Sequence, residues 1–277
     1  MKPLTRNRIK YIINIADDLL TERENAMKKK KIWLVVLIIS LVVFVIAAVC
    51  IVREFIAGKE PVDQYYLSET GSVSTSADNL PDNPIDFAKL HETNTDIYAW
   101  IKIPNTDVDY PILQSYLEHD NYYIDRDLNK NKARAGSIYT QKKNKTDFSD
   151  PNTLIYGHSM LNGTMFGTLK RFRKEEFFLE NRYMYIYMPG HILTYEIFAA
   201  YLYDDRHILN AFDFTDKEVY KNYLDSCLNP KSMIKNIREG ITLTTDDRII
   251  TLSTCYEEFA PTRYLVQGVL RNDERTK

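Results

Sequence analysis

Short apolar runs, separated by proline, asparagine, aspartate and glycine, fill the chain from Ile85 to Lys277. Eight of these runs are rich in the β-branched and aromatic residues typical of strands: IYAWIKI, VDYPIL, GSIYT, TLIYG, YMYIYM, ILTYEIFAAYLY, RIITLST and YLVQGVL. Eight short strands with turn residues between them are the pattern of a barrel or a sandwich. The sequence therefore predicts a mainly β domain.

Two stretches of this region depart from the strand pattern and predict helices. One is TMFGTLKRF, from Thr164 to Phe172, and the other is TDKEVYKNYLDSCL, from Thr215 to Leu228. Along the second stretch one helical face recurs at every fourth position: Val219, Tyr223 and Cys227. We expect Thr215 to cap this helix, with Glu218 completing a capping box.

A longer apolar run precedes the β region. Residues 32–52, IWLVVLIISLVVFVIAAVCIV, are 21 residues without a charge, which as a helix reach about 30 Å, the thickness of a bilayer core. We interpret them as a transmembrane helix. A cleaved signal peptide is the alternative, because Ala47 and Ala48 are small, but the run is long and 31 residues precede it. A lipoprotein signal ending at Cys50 fits less well, because Val49 is branched where a small residue is expected.

Charge predicts the orientation of this helix. Residues 28–31 are four consecutive lysines beside the apolar run, and residues 1–31 carry nine Lys/Arg against four Asp/Glu, a net charge of +5. The positive-inside rule places this segment in the cytoplasm and residues 53–277 outside. The whole chain carries −2, so residues 32–277 carry −7, and that part gives no support to nucleic-acid binding.

A spacer is predicted between the membrane and the β domain. Residues 68–84, SETGSVSTSADNLPDNP, are small and polar, a composition that cannot bury enough surface to order itself. The β region, by contrast, belongs to a chain that is 44% apolar and 12% aromatic, which indicates a packed core. The predicted organisation is a cytoplasmic segment (1–31), a transmembrane helix (32–52), an extracellular linker (53–84) and a folded domain (85–277).

Cysteine and histidine usage limits the chemistry. The chain has five histidines, no C-x-x-C pair and three cysteines: Cys50, Cys227 and Cys255. This supplies neither a disulfide framework nor a spaced zinc site, so any cysteine chemistry is that of a single thiol. Calcium stays possible in principle at the acidic pairs 204–205 and 246–247, although solvated loops are the commoner place for such pairs. We predict no metal and no cofactor.

Three chemically reactive side chains lie at the ends of predicted strands. In IITLSTC, Cys255 shares the more polar face of the strand with Thr251 and Ser253. Arg263 begins the next apolar run, and an antiparallel return sets it beside Cys255. His158 also ends an apolar run. Thiol, imidazole and guanidinium are the nucleophile, proton shuttle and oxyanion-binding cation of an acyl-transfer site. The alternative is that Cys255 is a buried structural cysteine and Arg263 a solvated strand end.

Together, the motifs resemble one known family. TLSTC at 251–255, YGHSM with GTMFGTL at 156–169, and RYLV at 263–266, behind one N-terminal span, are similar to the sortases, cysteine transpeptidases of Gram-positive bacteria. The histidine segment HSMLNGTMF and the helix at 215–228 resemble class B of that family. The resemblance covers most of residues 85–277 and implies a closed eight-stranded barrel. It also implies that Cys255 is the nucleophile, His158 the general acid/base and Arg263 the group binding the substrate carbonyl and its oxyanion.

The resemblance further implies substrates. The partners would be the C-terminal sorting signal of a secreted protein, cleaved through an acyl-thioester, and a cell-wall peptidoglycan precursor amine that resolves it. An Asn-Pro-x-Thr or Ser-Pro-x-Thr signal cleaved after threonine is expected for class B. Ser253 and the backbone at Thr254 would line the pocket, and Val219 and Tyr223 would wall the peptide groove.

Two other functions fit part of the pattern. L,D-type cell-wall transpeptidases also use cysteine and histidine, but their nucleophile lies in S-x-G-C-x-R, with the arginine two residues after the cysteine. Here Arg263 is eight residues after Cys255, which disfavours that class. A membrane-tethered β module without enzymatic activity is the second alternative, and an unreactive Cys255 in the folded protein would support it.

Overall fold

The computed structural model describes residues 6–56, 63–67, 80–255 and 262–277. Contacts divide the chain into two units, Met1–Phe55 and Ile56–Lys277. The first is a single helix, α1 (Arg6–Ile56). Its segment Glu22–Arg53 contains an 18-residue stretch with a mean hydropathy of 3.5 and is long and apolar enough to cross a membrane, a test that a signal sequence near the N-terminus also passes.

The second unit is a closed barrel. Its strands are β1 (Ile97–Lys102), β2 (Asp109–Leu113), β3 (Ile138–Tyr139), β4 (Asn152–Tyr156), β5 (Tyr183–Met188), β6 (His191–Asp204), β7 (Lys235–Ile237), β8 (Ile249–Cys255) and β9 (Thr262–Arg275). Pairing follows the order β5-β1-β2-β3-β4-β8-β9-β6, and β6 pairs again with β5, which closes eight strands into a ring. The short β7 adds to β6 outside this ring. The predicted eight-stranded barrel is confirmed.

Side chains alternate between the two faces of each strand, and those that point inward fill the barrel. Inward-facing aliphatic and aromatic side chains from all sides of the ring are buried against one another, among them Ile101, Ile112, Ile155, Ile186, Ile250 and Val266. Each fully buried aliphatic side chain stabilises the fold by about 1.5–3 kcal/mol relative to its exposed state. The barrel wall is therefore a rigid frame, and its strand ends hold whatever side chains they carry in fixed positions.

Helices lie around the barrel: α2 (Phe87–Thr93), α3 (Glu175–Glu180), α4 (Ile208–Ala211) and α5 (Lys217–Leu228). The predicted helix at 164–172 is instead a 3-10 segment, Gly167–Arg173. The cap of α5 is Asp216 and not Thr215, because the Asp216 carboxylate accepts from the backbone N–H groups of Glu218 and Val219 at 2.8 and 3.2 Å.

The amphipathic face of α5 packs on the outside of the barrel. Its buried side chains are Tyr220, Tyr223, Leu224 and Cys227. They belong to a second core cluster, formed with outward-facing side chains of β6, β8 and β9 such as Phe198, Ile249 and Leu265. Val219 is only half-buried. The helical periodicity in the sequence therefore reports mainly the packing of this helix onto the barrel.

Part of the predicted linker packs on the second unit. Tyr65 is buried 6.1 Å from the Trp100 ring, and Tyr66 forms a bridge with Ile85 and donates its hydroxyl to Asp109. Because of these contacts the folded unit begins before residue 85, where the sequence predicted its start. Residues 57–62 and 68–79 of the linker lie outside the described part of the chain.

Candidate active site

Cys255 and Arg263 are neighbours across one strand pair. Cys255 ends β8, Arg263 is the second residue of β9, and the two are directly paired in the antiparallel register. Nη1 of Arg263 donates to Sγ of Cys255 at 2.9 Å. Both side chains are half-buried. The prediction that an antiparallel return brings thiol and guanidinium together is confirmed, and the sulfur lies beside a permanent cation.

His158 follows β4, which is the parallel neighbour of β8. Gly157 precedes it and donates its N–H to the Ser253 carbonyl at 3.3 Å. A Cβ at position 157 would lie 2.4 Å from Ile138 Cδ1 and 2.8 Å from Phe166 Cδ2, so a larger residue here would displace two core side chains. The close turn brings His158 to the same end of the barrel as Cys255.

The ring of His158 has a defined tautomer. Its Nε2 lies 2.7 Å from the backbone carbonyl oxygen of Ile124. A carbonyl oxygen only accepts, so Nε2 carries a proton, and in the neutral ring Nδ1 holds the lone pair. Nδ1 is therefore the nitrogen that can take a proton from, or return one to, a reacting group.

All three side chains line one cleft of about 160 Å³. Its other polar walls include Asn121, Gln141, Asp205, His207 and Ser253. Tyr139 and Tyr156, whose rings stack at 5.6 Å, form an aromatic surface within it. Burial raises the pKa of both tyrosines far above the ordinary value, so both remain neutral donors at any physiological pH.

The two other residues of β8 that were predicted to line the pocket point to opposite faces of the strand. Ser253, on the same face as Cys255, lines the cleft. Thr254 points the other way, is 1% exposed and does not line it. Only the backbone of Thr254 is thus adjacent to the Cys255 sulfur.

The two residues predicted on α5 do not line the cleft of Cys255. Val219 and Tyr223 border a neighbouring cavity of about 490 Å³ between α5 and the end of β6. The two cavities share Tyr203 and Arg206 as a common wall. Tyr223 is 2% exposed, so most of its side chain serves the core rather than a peptide groove.

Sequence reasoning missed three polar residues of the cleft. Asn121, Gln141 and His207 come from three separate segments and are joined by hydrogen bonds. No local pattern marks any of them, because each is a single polar residue in a loop or just outside a strand. Only the barrel topology brings them together.

The second cysteine of the folded unit has a different environment. Cys227 on α5 is fully buried, and this burial raises the pKa of its thiol to about 11. Within the described ranges no group of three or more His, Cys, Asp or Glu side chains is placed to hold a metal ion.

Known proteins with similar sequences and folds share this arrangement of strands. The sequence model of the Sortase domain family matches residues 101–271. The chain is 34% identical to Sortase B of Listeria monocytogenes over 189 residues, covering 67% of this chain and 74% of the relative. It is 29% identical to Sortase B of Staphylococcus aureus over 237 residues, covering 85% and 94%. The structure of Clostridium perfringens sortase B superposes with a TM-score of 0.61 at 34% identity, covering 67% of this chain and all of that one.

Proposed function

This chain belongs to the sortase family of cysteine transpeptidases, and on that premise we propose that Cys255, His158 and Arg263 carry out the transpeptidation of secreted proteins onto the cell wall. The observation that supports these roles is the contact of 2.9 Å between Arg263 Nη1 and Cys255 Sγ in a cleft that His158 also lines. The relatives that carry the name Sortase B place the chain in class B.

In the first half of the reaction the Cys255 thiolate attacks the carbonyl carbon of the threonine in the sorting signal. The carbonyl π electrons move to oxygen, and the guanidinium of Arg263 stabilises this oxyanion. His158, protonated at Nδ1, gives its proton to the departing amide nitrogen as the C–N bond breaks. The product is an acyl-thioester on Cys255 and a free C-terminal fragment.

The second half reverses these roles. An amine of a peptidoglycan precursor attacks the thioester carbonyl, and neutral His158 accepts the proton that this nitrogen loses. The C–S bond then breaks and Cys255 leaves as the thiolate beside Arg263. A new amide bond joins the secreted protein to the wall, and the enzyme returns to its first state.

The expected signal is of the Asn-Pro-x-Thr or Ser-Pro-x-Thr type, cleaved after threonine. Proline fixes φ near −65° and so presents the peptide already bent. This preference comes from the class B relationship, since the expected contacts from Val219 and Tyr223 are not in the cleft of Cys255.

Membrane attachment forms part of the proposal. The segment at 32–52 within α1 has the length and apolar composition of a single span, and lysines 28–31 favour a cytoplasmic N-terminus. The working division of the chain is a cytoplasmic segment (1–31), a transmembrane helix (32–52), an extracellular linker (53–84), of which Tyr65 and Tyr66 pack on the folded unit, and the catalytic domain (85–277). Protease treatment of intact cells should digest the catalytic domain and spare an N-terminal fragment of at least about 6 kDa, the mass of residues 1–52.

The test of activity uses the full-length protein in detergent micelles. Peptides containing Asn-Pro-x-Thr, Ser-Pro-x-Thr and Leu-Pro-x-Thr-Gly are offered with an amine acceptor, and products are identified by mass spectrometry. We expect cleavage after threonine, a new amide to the acceptor, and faster processing of the Asn-Pro and Ser-Pro peptides. Faster processing of the Leu-Pro peptide would contradict the class B signal, and absence of any cleavage would contradict the proposed reaction.

A further inference from the structure

The hydrogen bond that orients the His158 ring ends on a backbone oxygen, that of Ile124. Ile124 lies in a short 3-10 turn, Tyr122–Asp125, and is 41% exposed. Hydrogen bonds in 3-10 turns have poorer geometry than those in α-helices, so the direction of a carbonyl in such a turn depends on the chain packed against it. That neighbouring chain therefore helps to decide where the His158 ring points.

The chain packed against this turn is the segment 133–137. Two backbone hydrogen bonds join it to the residues on either side of Ile124: Ala133 N–H to the Asp125 oxygen at 3.0 Å, and Ser137 N–H to the Tyr123 oxygen at 2.9 Å. The Ile124 carbonyl between them faces His158 instead and accepts from Nε2 at 2.7 Å. The segment thus holds both neighbours of the oxygen that the imidazole uses.

Gly136 is the residue of this segment that lies directly against Ile124. A Cβ at position 136 would overlap the Ile124 carbonyl oxygen and would lie 2.8 Å from the carbonyl carbon. Carbon atoms that are not bonded to each other are in favourable contact at about 3.5–4.0 Å, so a methyl group here requires the backbone to move. The absence of a side chain at Gly136 lets the Ile124 peptide keep its orientation.

The two sides of this contact are not equally free to move. Gly136 is buried and comes two residues before β3, which pairs with β2 and β4 in the barrel wall. Ile124 lies in a turn at the surface. A methyl group at position 136 should therefore displace the Ile124 carbonyl and leave the strand in place.

The backbone of His158 is held by other parts of the chain. Its carbonyl accepts from the Phe166 N–H at 2.9 Å, and the next residue, Ser159, forms a bridge with Met165. Neither contact involves residues 122–137. Displacement of the Ile124 carbonyl should thus release the ring of His158 while the backbone stays in place.

A second glycine shows that backbone conformation alone does not explain position 136. Gly136 has φ of +59° and Gly240, in the loop after β7, has φ of +76°, both in the left-handed region that favours glycine. A Cβ at position 240 would meet nothing within 4 Å. Position 136 carries the additional requirement of contact with the Ile124 carbonyl, so Gly240 is a matched control for the effect of φ.

We propose that Gly136 is a positioning residue for His158, acting through the carbonyl of Ile124. The inference rests on the proposed function, since it takes His158 as the general acid/base. With the carbonyl in place Nε2 keeps its proton, and Nδ1 is the nitrogen left to exchange a proton with the reacting group. When the carbonyl is displaced, the ring is free to turn away, and a misplacement of about 1 Å costs on the order of a hundredfold in rate.

The first experiment observes the ring without a substrate. Full-length protein in detergent, with ¹⁵N-labelled histidine, is studied by NMR at a pH where the ring is neutral, and the His158 signals are assigned by their loss in His158→Gln. We expect an Nε2–H proton signal protected by the bond to Ile124 in wild type and in Gly240→Ala. In Gly136→Ala this signal should be lost through exchange with water.

The second experiment separates kcat from KM with a sorting-signal peptide. Gly136→Ala should lower kcat by about tenfold to a hundredfold, because proton transfer by His158 is impaired. KM should change less, since Gly136 does not line the cleft of Cys255. Gly240→Ala should keep both constants at the wild-type value.

A second substitution separates the contact from backbone strain. Asparagine adopts positive φ more readily than alanine does, but it carries a Cβ at the same place. Gly136→Asn should therefore fold more stably than Gly136→Ala in thermal unfolding, yet lose the same Nε2–H signal and a similar part of kcat.

Three results would overturn the inference. They are an unchanged Nε2–H signal in Gly136→Ala, an equal loss of signal and kcat in Gly240→Ala, and failure of both Gly136 variants to fold, which would make the glycine a purely structural residue. If the NMR signals behave as expected but wild-type protein cleaves no peptide, the failure lies with the proposed function alone.

Discussion

Two regions of the barrel each hold one cysteine, and they give the same side chain opposite properties. At the end of β8, Cys255 is half-buried in an open cleft with the Arg263 guanidinium 2.9 Å from its sulfur. On α5, Cys227 is fully buried beneath aromatic side chains, and burial raises the pKa of its thiol to about 11. Cys255 is thus open to the cleft and next to a cation, whereas desolvation keeps Cys227 a neutral thiol.

The two regions are joined by a buried polar cluster. Gln267 on β9 accepts from the Tyr201 hydroxyl at 3.0 Å and donates to Thr251 on β8 and to the Tyr223 hydroxyl on α5, at 3.0 and 3.2 Å. Thr251 in turn is 2.9 Å from Asn152. These polar groups satisfy one another between α5 and the outer face of the barrel. The helix therefore supports the strand pair that carries the site, although it does not line the cleft of Cys255.

The largest expected effect separates the two cysteines. Cys255→Ala should abolish transpeptidation, a loss of at least about a thousandfold, because no other group in the cleft can form the acyl-enzyme. Cys227→Ala should retain activity and lose only modest stability. Turnover of a fluorogenic sorting peptide measures both. Equal loss of activity in the two variants would contradict the assignment of the nucleophile.

Thiol labelling of the folded protein makes the same comparison without a substrate. A small alkylating reagent should modify Cys255 within the time in which Cys227 remains unmodified, as followed by mass spectrometry of the digested protein. Denaturation before labelling should remove the difference. Labelling of Cys227 in the folded state at a similar rate would show that the region around α5 opens.

The next effect concerns Arg263. Arg263→Ala removes the cation beside the sulfur and should lower kcat/KM by about a hundredfold or more. Arg263→Lys should recover little, because an ammonium group lacks the planar fork that contacts sulfur and carbonyl oxygen together. Near-normal turnover in the lysine variant, with unchanged KM, would reduce Arg263 to a structural role.

The sequence alone predicted the region around Cys255 well, for a physical reason. Side-chain alternation and the antiparallel return of a chain are local rules. The two consecutive apolar runs that end at Cys255 and begin at Arg263 were therefore enough to predict that these residues are neighbours. The position of His158 depended on one more pairing, that of β4 with β8, which sets the residue after β4 at the same end of the barrel. The closed barrel was predicted from the number of apolar runs together with the family resemblance.

The region around α5 was predicted less well. A four-residue period shows that a helix has an apolar face, but not whether that face meets a core or a ligand. Tyr223, expected in the peptide groove, proved to be a core residue beside Cys227, and the cap is Asp216 and not Thr215. The Asn121, Gln141 and His207 contacts were unpredictable for a related reason, since they depend on side chains brought together by non-local pairing.

The next prediction tests whether α5 acts through stability. Tyr223→Ala removes a side chain packed 4.9 Å from both Phe212 and Phe214 and should cost about 3–5 kcal/mol of unfolding free energy. At a temperature where the variant stays folded, kcat/KM should match wild type for every peptide. Asn222→Ala, at an exposed site on the same helix, is the control for stability. A change in peptide preference with Tyr223→Ala would return this residue to the substrate groove.

The smallest expected effect is a loss of folding stability at alkaline pH, caused by ionisation of the Cys227 thiol. In the unfolded chain its thiol ionises near pH 9, whereas in the folded protein the pKa is about 11, so the folded state holds the proton more tightly. This contribution to stability is present below about pH 9 and is lost as the pH rises to about 11, up to about 3 kcal/mol in total. Buried tyrosines add a similar loss at higher pH in every variant. The difference in unfolding free energy between wild type and Cys227→Ala isolates the thiol: it should shift in favour of the alanine variant between pH 9 and 11. A pH-independent difference would mean that Cys227 reaches solvent, and the contrast with Cys255 would then rest on Arg263 alone.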